Sequence, residues 1–207
     1  LRFIKTGIEA KPAEWQIRVR KGMHMEYRKL CAAEINRQLF SHFIRRQTVT
    51  KCWRREDGKW VIKDAPFIDD WGETEYQELV RCLINTVNTD GAVFGAFEGG
   101  ALKGFASVES APMGQNGEYL DLSCIHVSQD LRGRGIGRTL FDMACRWARE
   151  HGAGKLYISA HSAVESQAFY EAMGCREAQE YNRRHVEAEP FDCQLECVLK
   201  DSPAKDW

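Results

Sequence analysis

The sequence predicts a mixed α/β fold of the α+β kind, in which helices cover both faces of one mixed sheet. The order of segments supports this class, since strand-like runs dominate the first half and the second half alternates strand, helix, strand, helix and strand. Such a sheet buries its apolar faces under helices on either side. The chain has 207 residues, 43% of them hydrophobic, which suffices for one compact domain with a sizeable core.

The first half is predicted to begin with a strand at residues 25–30, where apolar and polar residues alternate. A helix is predicted over residues 33–46, because apolar residues recur there at helical spacing. The apolar face of that helix contains Ile35, Leu39, Phe40, Phe43 and Ile44. A second amphipathic helix is predicted over residues 74–88.

A β-hairpin is predicted between these two helices. The dipeptide Asp-Gly at residues 57–58 separates two runs rich in tryptophan and valine, and it suits the positive φ angles of a type I′ turn. In that register Trp53 lies opposite Ile62. Arg55 likewise lies opposite Trp60.

The second half is predicted to supply the remaining strands and two more helices. Residues 91–110 give two strands joined by a turn at 98–100. The other predicted strands cover 118–128, 155–160, 175–180 and 191–199, and the two helices cover 136–150 and 164–174.

Charge and composition exclude several classes of function. Twenty-nine basic residues against thirty acidic ones leave a net charge of −1, whereas nucleic-acid-binding proteins usually show a basic excess. No window approaches the ~20 apolar residues that a membrane span requires. We therefore expect neither a nucleic acid nor a membrane as partner. Eight cysteines without a CxxC pair, and no apolar signal-peptide core, favour the cytoplasm.

A single domain is expected over residues 23–200, with an N-terminal extension at 1–22, native or vector-derived, and a C-terminal tail at 201–207. No metal site is predicted, because Cys193 and Cys197 would lie ~13 Å apart along one strand and could not chelate one ion together. The sequence leaves a homodimer open.

One loop concentrates glycine and arginine at residues 132–138, Arg-Gly-Arg-Gly-Ile-Gly-Arg, between a predicted strand and a predicted helix. A helix N-terminus has unpaired N–H groups and a partial positive charge, and glycine lets that backbone approach an anion. The sequence lacks the Gly-Lys-Ser/Thr of a P-loop and the third glycine of a dinucleotide fingerprint. It predicts a diphosphate-binding loop; the alternative is a glycine-rich turn with solvated arginines.

Two segments carry a family resemblance. Residues 132–137, RGRGIG, follow the strand LSCIHVS and resemble motif A of the GNAT N-acetyltransferase superfamily. Residues 155–175, KLYISAHSAVESQAFYEAMGC, are similar to its motif B. The resemblance covers 25–199 and implies the GNAT fold, a mostly antiparallel twisted sheet of about seven strands, splayed between the fourth and fifth. It also implies direct acetyl transfer from acetyl-CoA to a primary amine, expected to belong to a small molecule.

The resemblance implies which residues hold the cofactor. The loop amides would bind the pyrophosphate, and the backbone of the preceding strand would bind the pantetheine arm like an added strand. Many members have asparagine at the position of Ala163, where Ser162 or Ser166 could substitute. The predicted cofactor residues are Ile125, His126, Val127, Arg132, Gly133, Arg134, Gly135, Ile136, Gly137, Arg138, Ser162, Ser166 and Tyr170.

Acetyl transfer to an amine needs a proton acceptor and a proton donor. An alkyl ammonium with a pKa of about 10.4 is neutral only about once in a thousand at pH 7, so a base is expected. Glu109, Asp121 and His126 are candidates, although each could instead be a structural strand residue. Tyr170 matches the motif-B tyrosine and would protonate the leaving thiolate; the alternative is a core aromatic. A backbone N–H near Ile125 or His126 would stabilise the developing oxyanion.

The acceptor is expected to bind against residues 33–90. Trp53, Trp60, Asp70 and Trp71 combine aromatic faces with a carboxylate, which suits a cationic amine, although the hairpin could simply cap the core. Residues 157–175 are also similar to antibiotic acetyltransferases of the streptothricin type. Two other functions remain open: a protein or peptide N-acetyltransferase, and a non-catalytic acyl-CoA sensor of the same fold.

Overall fold

The computed structural model describes residues 25–199. The extension expected at residues 1–22 and the tail expected at 201–207 lie outside these described residues. Across the described chain, no helix combines the length and the apolar character that crossing a membrane requires.

Residues 25–199 form nine strands and four α-helices. The strands are β1 (Met25–Lys29), β2 (Arg46–Glu56), β3 (Lys59–Asp70), β4 (Ala92–Glu98), β5 (Ala101–Val108), β6 (Tyr119–Val127), β7 (Lys155–Ala160), β8 (Arg176–Glu177) and β9 (Cys193–Val198). The helices are α1 (Glu73–Asn88), α2 (Ile136–Glu150), α3 (Val164–Ala172) and α4 (Arg183–Ala188). Three short 3₁₀ turns cover Ala32–Glu34, Arg37–Phe40 and Gln129–Leu131.

Seven strands form one sheet in the order β1-β4-β5-β6-β7-β9-β8, and β2 and β3 form a separate two-stranded sheet. Within the large sheet only β6 and β7 run parallel, and the other neighbours are antiparallel. The predicted mixed, mostly antiparallel fold class is confirmed.

Two hydrophobic cores lie on opposite faces of the large sheet, because successive strand residues point to opposite sides. Phe94 of β4 belongs to the core that α2 covers with Leu140. Phe105 of β5 belongs to the other core, which α1 covers with Leu83. The helices therefore cover both faces, as the sequence predicted.

The helix predicted over residues 33–46 is wrong. Two 3₁₀ turns replace it, because Asn36 has an extended backbone and its side-chain oxygen accepts the Leu39 N–H at 3.1 Å. Such a local side-chain bond competes with a continuous helix. The apolar pattern was nevertheless a true burial signal, since Ile35 and Phe40 are both 2% exposed.

The β2–β3 hairpin has the predicted register, with Trp53 opposite Ile62 and Arg55 opposite Trp60. Its two turn residues have positive φ angles of 48° and 76°. The hairpin joins the main body through the Trp53 N–H, which donates to the Ser162 carbonyl at 2.8 Å.

The fourth and fifth strands of the large sheet, β6 and β7, pair over only three residues each. Residues 119–121 pair with 155–157, after which β6 continues to Val127 and β7 to Ala160 without pairing with each other. On its other side β6 contains a bulge, because Ser107 pairs with Cys124 while Val108 pairs with Leu122. Pairing between the fourth and fifth strands therefore stops at residues 121 and 157.

Candidate active site

Beyond residue 121, β6 presents an edge that pairs with no strand, where Arg132 Nε donates to the Val127 carbonyl at 3.2 Å. In an antiparallel pair, alternate residues turn their N–H and C=O groups toward the neighbouring strand. Ser128 donates its N–H to the Lys103 carbonyl at 2.8 Å, and Phe105 pairs with His126 in the same register. This alternation turns the His126 backbone toward β5 and the backbones of Ile125 and Val127 toward the open edge.

The loop after β6 leaves several N–H groups without acceptors. Gly133 and Gly135 have φ angles of +76° and +83°, and Gly135 is the N-cap of α2. The bond that closes the first turn runs from the Thr139 N–H to the Gly135 carbonyl at 3.1 Å. Among the described residues, the backbone N–H groups of residues 135–138 have no backbone acceptor. A Cβ at Gly133 or Gly135 would meet nothing within 4 Å, so this backbone is accessible.

A cavity of about 910 Å³, here called the loop groove, extends from this loop along the open edge of β6. It brings together most of the predicted cofactor residues: Ile125, His126, Val127, Arg132, Gly133, Gly135, Ile136, Gly137, Arg138, Ser166 and Tyr170. Arg134 is not part of its lining. Ser162 is not either, because its buried hydroxyl accepts a hydrogen bond from Arg54 at 2.7 Å beneath the hairpin.

Arg45 lines the loop groove and was not predicted. Its side chain is 8% exposed; Nη2 donates to Asp69 at 2.6 Å, and the guanidinium lies 4.9 Å from the centre of the Trp71 ring. Burial, followed by the charge of Arg45, lowers the pKa of Arg132. No local pattern marks this residue, because its partners Asp69 and Trp71 come from a distant part of the chain.

A second cavity of about 800 Å³, here called the acidic cavity, lies between α1 and strands β5 and β6. Four carboxylates line it, and Arg81 is the one Lys or Arg among the described lining residues. The carboxylates are those of Glu75, Glu78, Glu109 and Asp121. The acidic cavity and the loop groove share Ser123, Cys124 and His126, so they meet at the bulge of β6.

Glu109 lies at the inner end of the acidic cavity, where Thr86 of α1 reaches it. Its Oε1 accepts hydrogen bonds from the Thr86 hydroxyl at 2.6 Å and the Ser123 hydroxyl at 2.9 Å. Its Oε2 accepts none from the described residues. Ser107 extends the network, since its hydroxyl lies 2.7 Å from that of Ser123 and 2.8 Å from the Cys124 sulfur.

Asp121, a second predicted base, forms an ion pair that the sequence did not reveal. It is 7% exposed, and its Oδ2 accepts a hydrogen bond from Nε2 of His185 on α4 at 2.8 Å. Its buried Oδ1 has no partner among the described residues. The hydrogen bond to Asp121 raises the pKa of His185.

His126, the third predicted base, is a poor proton acceptor. Burial, with smaller contributions from the charges of Arg45 and Arg132, lowers its pKa to about 3. The ring packs against Trp71, with centroids 4.9 Å apart, and against Phe105 at 5.3 Å. His126 is therefore a neutral aromatic wall between the two cavities at pH 7.

Tyr170, the predicted acid, lines the loop groove with 9% of its surface exposed. Burial raises the pKa of its hydroxyl, which keeps it protonated at neutral pH. The ring packs edge-on against Phe141 and Phe169, with centroids 6.4 and 5.2 Å away. Within the described chain its hydroxyl makes no hydrogen bond, so the proton is free to be donated in the groove.

The predicted acceptor residues separate into two groups. Trp71 lines the acidic cavity, and the neighbouring Asp70 pairs with Arg46 at 3.5 Å. Trp53 and Trp60 of the hairpin line neither cavity, and the Trp60 Nε1 donates to Glu177 at 3.3 Å instead. No three metal-ligating side chains of the described residues converge on a common point.

Comparisons with known proteins agree with this geometry. Residues 52–175, more than half of the chain, match the model of the Acetyltransferase (GNAT) family. A search of curated proteins gave no match.

Among solved structures, nourseothricin acetyltransferase superposes with a TM-score of 0.64 at 19% identity, covering 85% of this chain and 99% of that one. The PaiA N-acetyltransferase of Thermoplasma acidophilum, solved with coenzyme A, has a TM-score of 0.52 at 14% identity, with coverages of 85% and 99%. The IAA acetyltransferase of Bacillus cereus has a TM-score of 0.51 at 18% identity, with coverages of 84% and 99%. These similarities show a shared fold.

Proposed function

The chain belongs to the GNAT family of acetyltransferases, and from that premise we propose that it moves an acetyl group from acetyl-CoA to a primary amine of a small molecule. One observation carries this proposal: the loop groove and the acidic cavity meet at Ser123, Cys124 and His126. The first has the chemistry for an anionic cofactor and the second for a cationic amine. Two ligands that meet across β6 can react directly within one ternary complex.

The residues of the loop groove fit acetyl-CoA. The free amides of residues 135–138, at the positive end of α2, would hold the diphosphate together with Arg132 and Arg138. The open edge at Ile125 and Val127 would bind the amide-containing arm as an added strand. When bound, acetyl-CoA supplies an acetyl group on a thioester, whose thiolate is a good leaving group. The open-edge N–H of Ile125 is positioned to stabilise negative charge on the reacting carbonyl oxygen.

Glu109 is the candidate that best accepts the amine proton. Its Oε1 is fixed by Thr86 and Ser123, while its Oε2 remains unpaired toward the cavity. Asp121 is already paired with His185, and His126 is too weak a base at its pKa of about 3. Glu109 therefore removes the proton, directly or through one water, and the neutral amine becomes the nucleophile.

Tyr170 donates the proton that the leaving thiolate requires. Its raised pKa keeps the hydroxyl protonated at pH 7, and the side chain reaches the loop groove from α3. Because no described residue takes its hydrogen bond, removing the hydroxyl leaves no partner unsatisfied. Its loss is therefore expected to affect catalysis and not folding.

Thiol release from acetyl-CoA, measured with a panel of acceptors, tests the proposal. The panel contains small amines, a streptothricin antibiotic, and peptides with a free lysine or N-terminus. We expect release with small amines, and a Tyr170→Phe variant that binds coenzyme A normally in calorimetry while kcat falls about 10²-fold. Release with peptides alone would identify a peptide acetyltransferase. Tight coenzyme A binding with no release on any acceptor would identify a sensor and contradict the proposal.

A further inference from the structure

We propose that the acceptor carries a second positive charge, which Glu75 and Glu78 bind at the far end of the acidic cavity from Glu109. This inference rests on the proposed function and narrows the acceptor to elongated di- or polyamines. Glu109 lies at one end of the acidic cavity, and Glu75 and Glu78 lie at the other. Helix α1 sets the distance between the two ends.

Helix α1 forms one long wall of the acidic cavity. Glu75, Glu78, Cys82 and Thr86 all line it, and their spacing of three and four residues places them in a row on one face of the helix. Thr86 is tied to Glu109 at 2.6 Å, so the inner carboxylate lies level with Thr86. Glu78 precedes Thr86 by eight residues, which separates the two levels by ~12 Å along the helix axis.

The inner end is the end at which the amine reacts. Ser123, one of the residues shared with the loop groove, donates its hydroxyl to Glu109 at 2.9 Å. Asp121 lies at the same end and is 7% exposed, and its Oδ1 has no partner among the described residues. This buried, unpaired carboxylate oxygen gives the inner end capacity for a cation beyond the hydrogen bonds made within the protein.

The outer end is built for a cation as well. Trp71 lines the cavity between this end and His126, against which its ring packs with centroids 4.9 Å apart, and it adds an aromatic face that attracts ammonium groups. Glu75 uses Oε2 to accept the Gly72 N–H at 2.9 Å, which fixes its carboxylate at the start of α1. Glu78 forms an exposed pair with Arg81 at 3.2 Å.

The charge balance of the cavity exceeds what one amine neutralises. Four carboxylates against Arg81 and protonated His185, which pairs with Asp121, leave a surplus of two negative charges among these described residues, since the neighbouring His126 stays neutral. A single ammonium compensates one of them. A chain with two or more ammonium groups, the outermost ~12 Å from the reacting one, matches both the charge and the length.

The test compares octamethylenediamine with octylamine, which has the same carbon chain and one charge fewer. We expect kcat/KM for the diamine to exceed that for octylamine about tenfold, through KM, because a charge-assisted hydrogen bond contributes that factor. Glu75→Gln and Glu78→Gln, alone and together, should remove this advantage, so that the ratio of the two kcat/KM values approaches one. Arg81→Gln should increase it, because the variant removes a like charge and releases Glu78.

The matched control is Glu73→Gln, which makes the same change on the same helix. Glu73 pairs with Arg37 at 2.8 Å outside the acidic cavity, so this variant should preserve the diamine preference. Coenzyme A affinity, measured by calorimetry, should be equal in all variants.

Two results would overturn the inference while leaving the proposed function intact: equal kcat/KM for the two amines, or a diamine preference that survives both glutamine substitutions. Absence of thiol release with every amine would instead refute the proposed function. In that case calorimetric binding of the same two amines to the coenzyme A complex decides, and equal affinities would refute the second charge site.

Discussion

At the scale of single residues, Gly135 combines a turn requirement with the binding role that we propose. Its φ of +83° suits glycine, and its amide begins the row of N–H groups at the start of α2. Gly58 in the hairpin turn has a similar φ of +76° and equally open surroundings, but it lies outside both cavities. Comparing the same substitution at the two glycines therefore distinguishes an effect of backbone strain from an effect on ligand binding.

We expect Gly135→Glu to weaken coenzyme A binding at least tenfold, because a carboxylate placed among the loop amides repels the diphosphate. Both substitutions place a side chain at a positive φ, so each should lower the free energy of unfolding by about 1 kcal/mol. Gly58→Glu should nevertheless bind coenzyme A like the parent. Calorimetry and urea unfolding measure the two effects. If Gly135→Glu binds coenzyme A as tightly as the parent, the assignment of the loop is refuted.

Among the predicted site residues, those that a local motif contains are the ones that the structure brings together. The loop glycines and Tyr170 belong to short, ordered patterns, and they line one groove. Arg45 and His185 were missed because each acquires its role from a residue far away in the chain, Asp69 and Asp121. Trp53 and Trp60 line neither cavity, since suitable side-chain chemistry does not determine which surface a hairpin presents.

At the scale of elements, regular periodicity predicted α1 and α2, but it failed at residues 33–46, where two 3₁₀ turns replace a helix, and it missed the shortest helix. Helix α2 was predicted with the bounds that the structure has, since its apolar stripe spans four turns. Helix α4 was missed, because six residues contain too few repeats of the pattern. Its one local signal is Asn182, whose side chain caps the helix by accepting the Arg184 N–H at 2.9 Å.

The pairing of α4 with β6 predicts a specific pH dependence of stability. Asp121 raises the pKa of His185 above its ordinary value of 6.5. The stabilisation that the His185–Asp121 pair gives the folded state is therefore complete below pH 6.5. It is lost as the pH rises through the raised pKa of His185. We expect His185→Gln to lower the free energy of unfolding by about 1 kcal/mol near pH 6.

That difference should shrink steadily as the pH rises above neutrality, in urea titrations of both proteins. His42→Gln is the control, because His42 is exposed and its ring makes no hydrogen bond to the described residues. A parent-to-variant difference that stays constant from acid to alkaline pH would refute the contribution of the charged pair.

At the scale of the whole molecule, one buried carboxylate connects four strands at the closed end of the β6–β7 opening. Glu196 of β9 is 0% exposed and accepts hydrogen bonds from Tyr119 of β6 at 2.5 Å and Arg176 of β8 at 2.9 Å. Lys155 of β7 lies 3.4 Å away. Although burial alone raises the pKa of Glu196, these partners hold it below its ordinary value.

We expect Glu196→Gln to lower the free energy of unfolding by about 1–2 kcal/mol, because the charge-assisted hydrogen bonds from Tyr119 and Arg176 weaken while Lys155 keeps its ion pair with Glu118 at 2.8 Å. Since the folded pKa of Glu196 is depressed, its contribution is present above pH 4.5 and disappears as the pH falls below that value. The parent should therefore lose its advantage over the variant on acidification. Glu177→Gln, at a surface pair with Arg55, should cost below about 1 kcal/mol. Equal stability of parent and Glu196→Gln at pH 7 would contradict this.

The cavities were the part of the molecule that sequence patterns could not supply. The family resemblance implied an opening between two strands, and the pairing stops at that position. The acidic cavity depends on how α1 lies across β5 and β6, which joins Glu75 to Glu109 over a long stretch of chain. Packing between distant segments decides such a surface, and no local spacing records it.

The unpaired edge of β6 also bears on solubility. A strand with free N–H and C=O groups is normally a template for pairing with other chains, and it promotes aggregation when it lies at the rim of a sheet. Here the free groups belong to the fourth of seven strands, with β7 standing on the far side of the opening. An extended small ligand can enter that space, whereas a strand of another folded molecule would have to bring its own sheet with it. The interior position thus keeps these N–H and C=O groups available to a ligand without exposing them at the rim of the sheet, where they would promote aggregation.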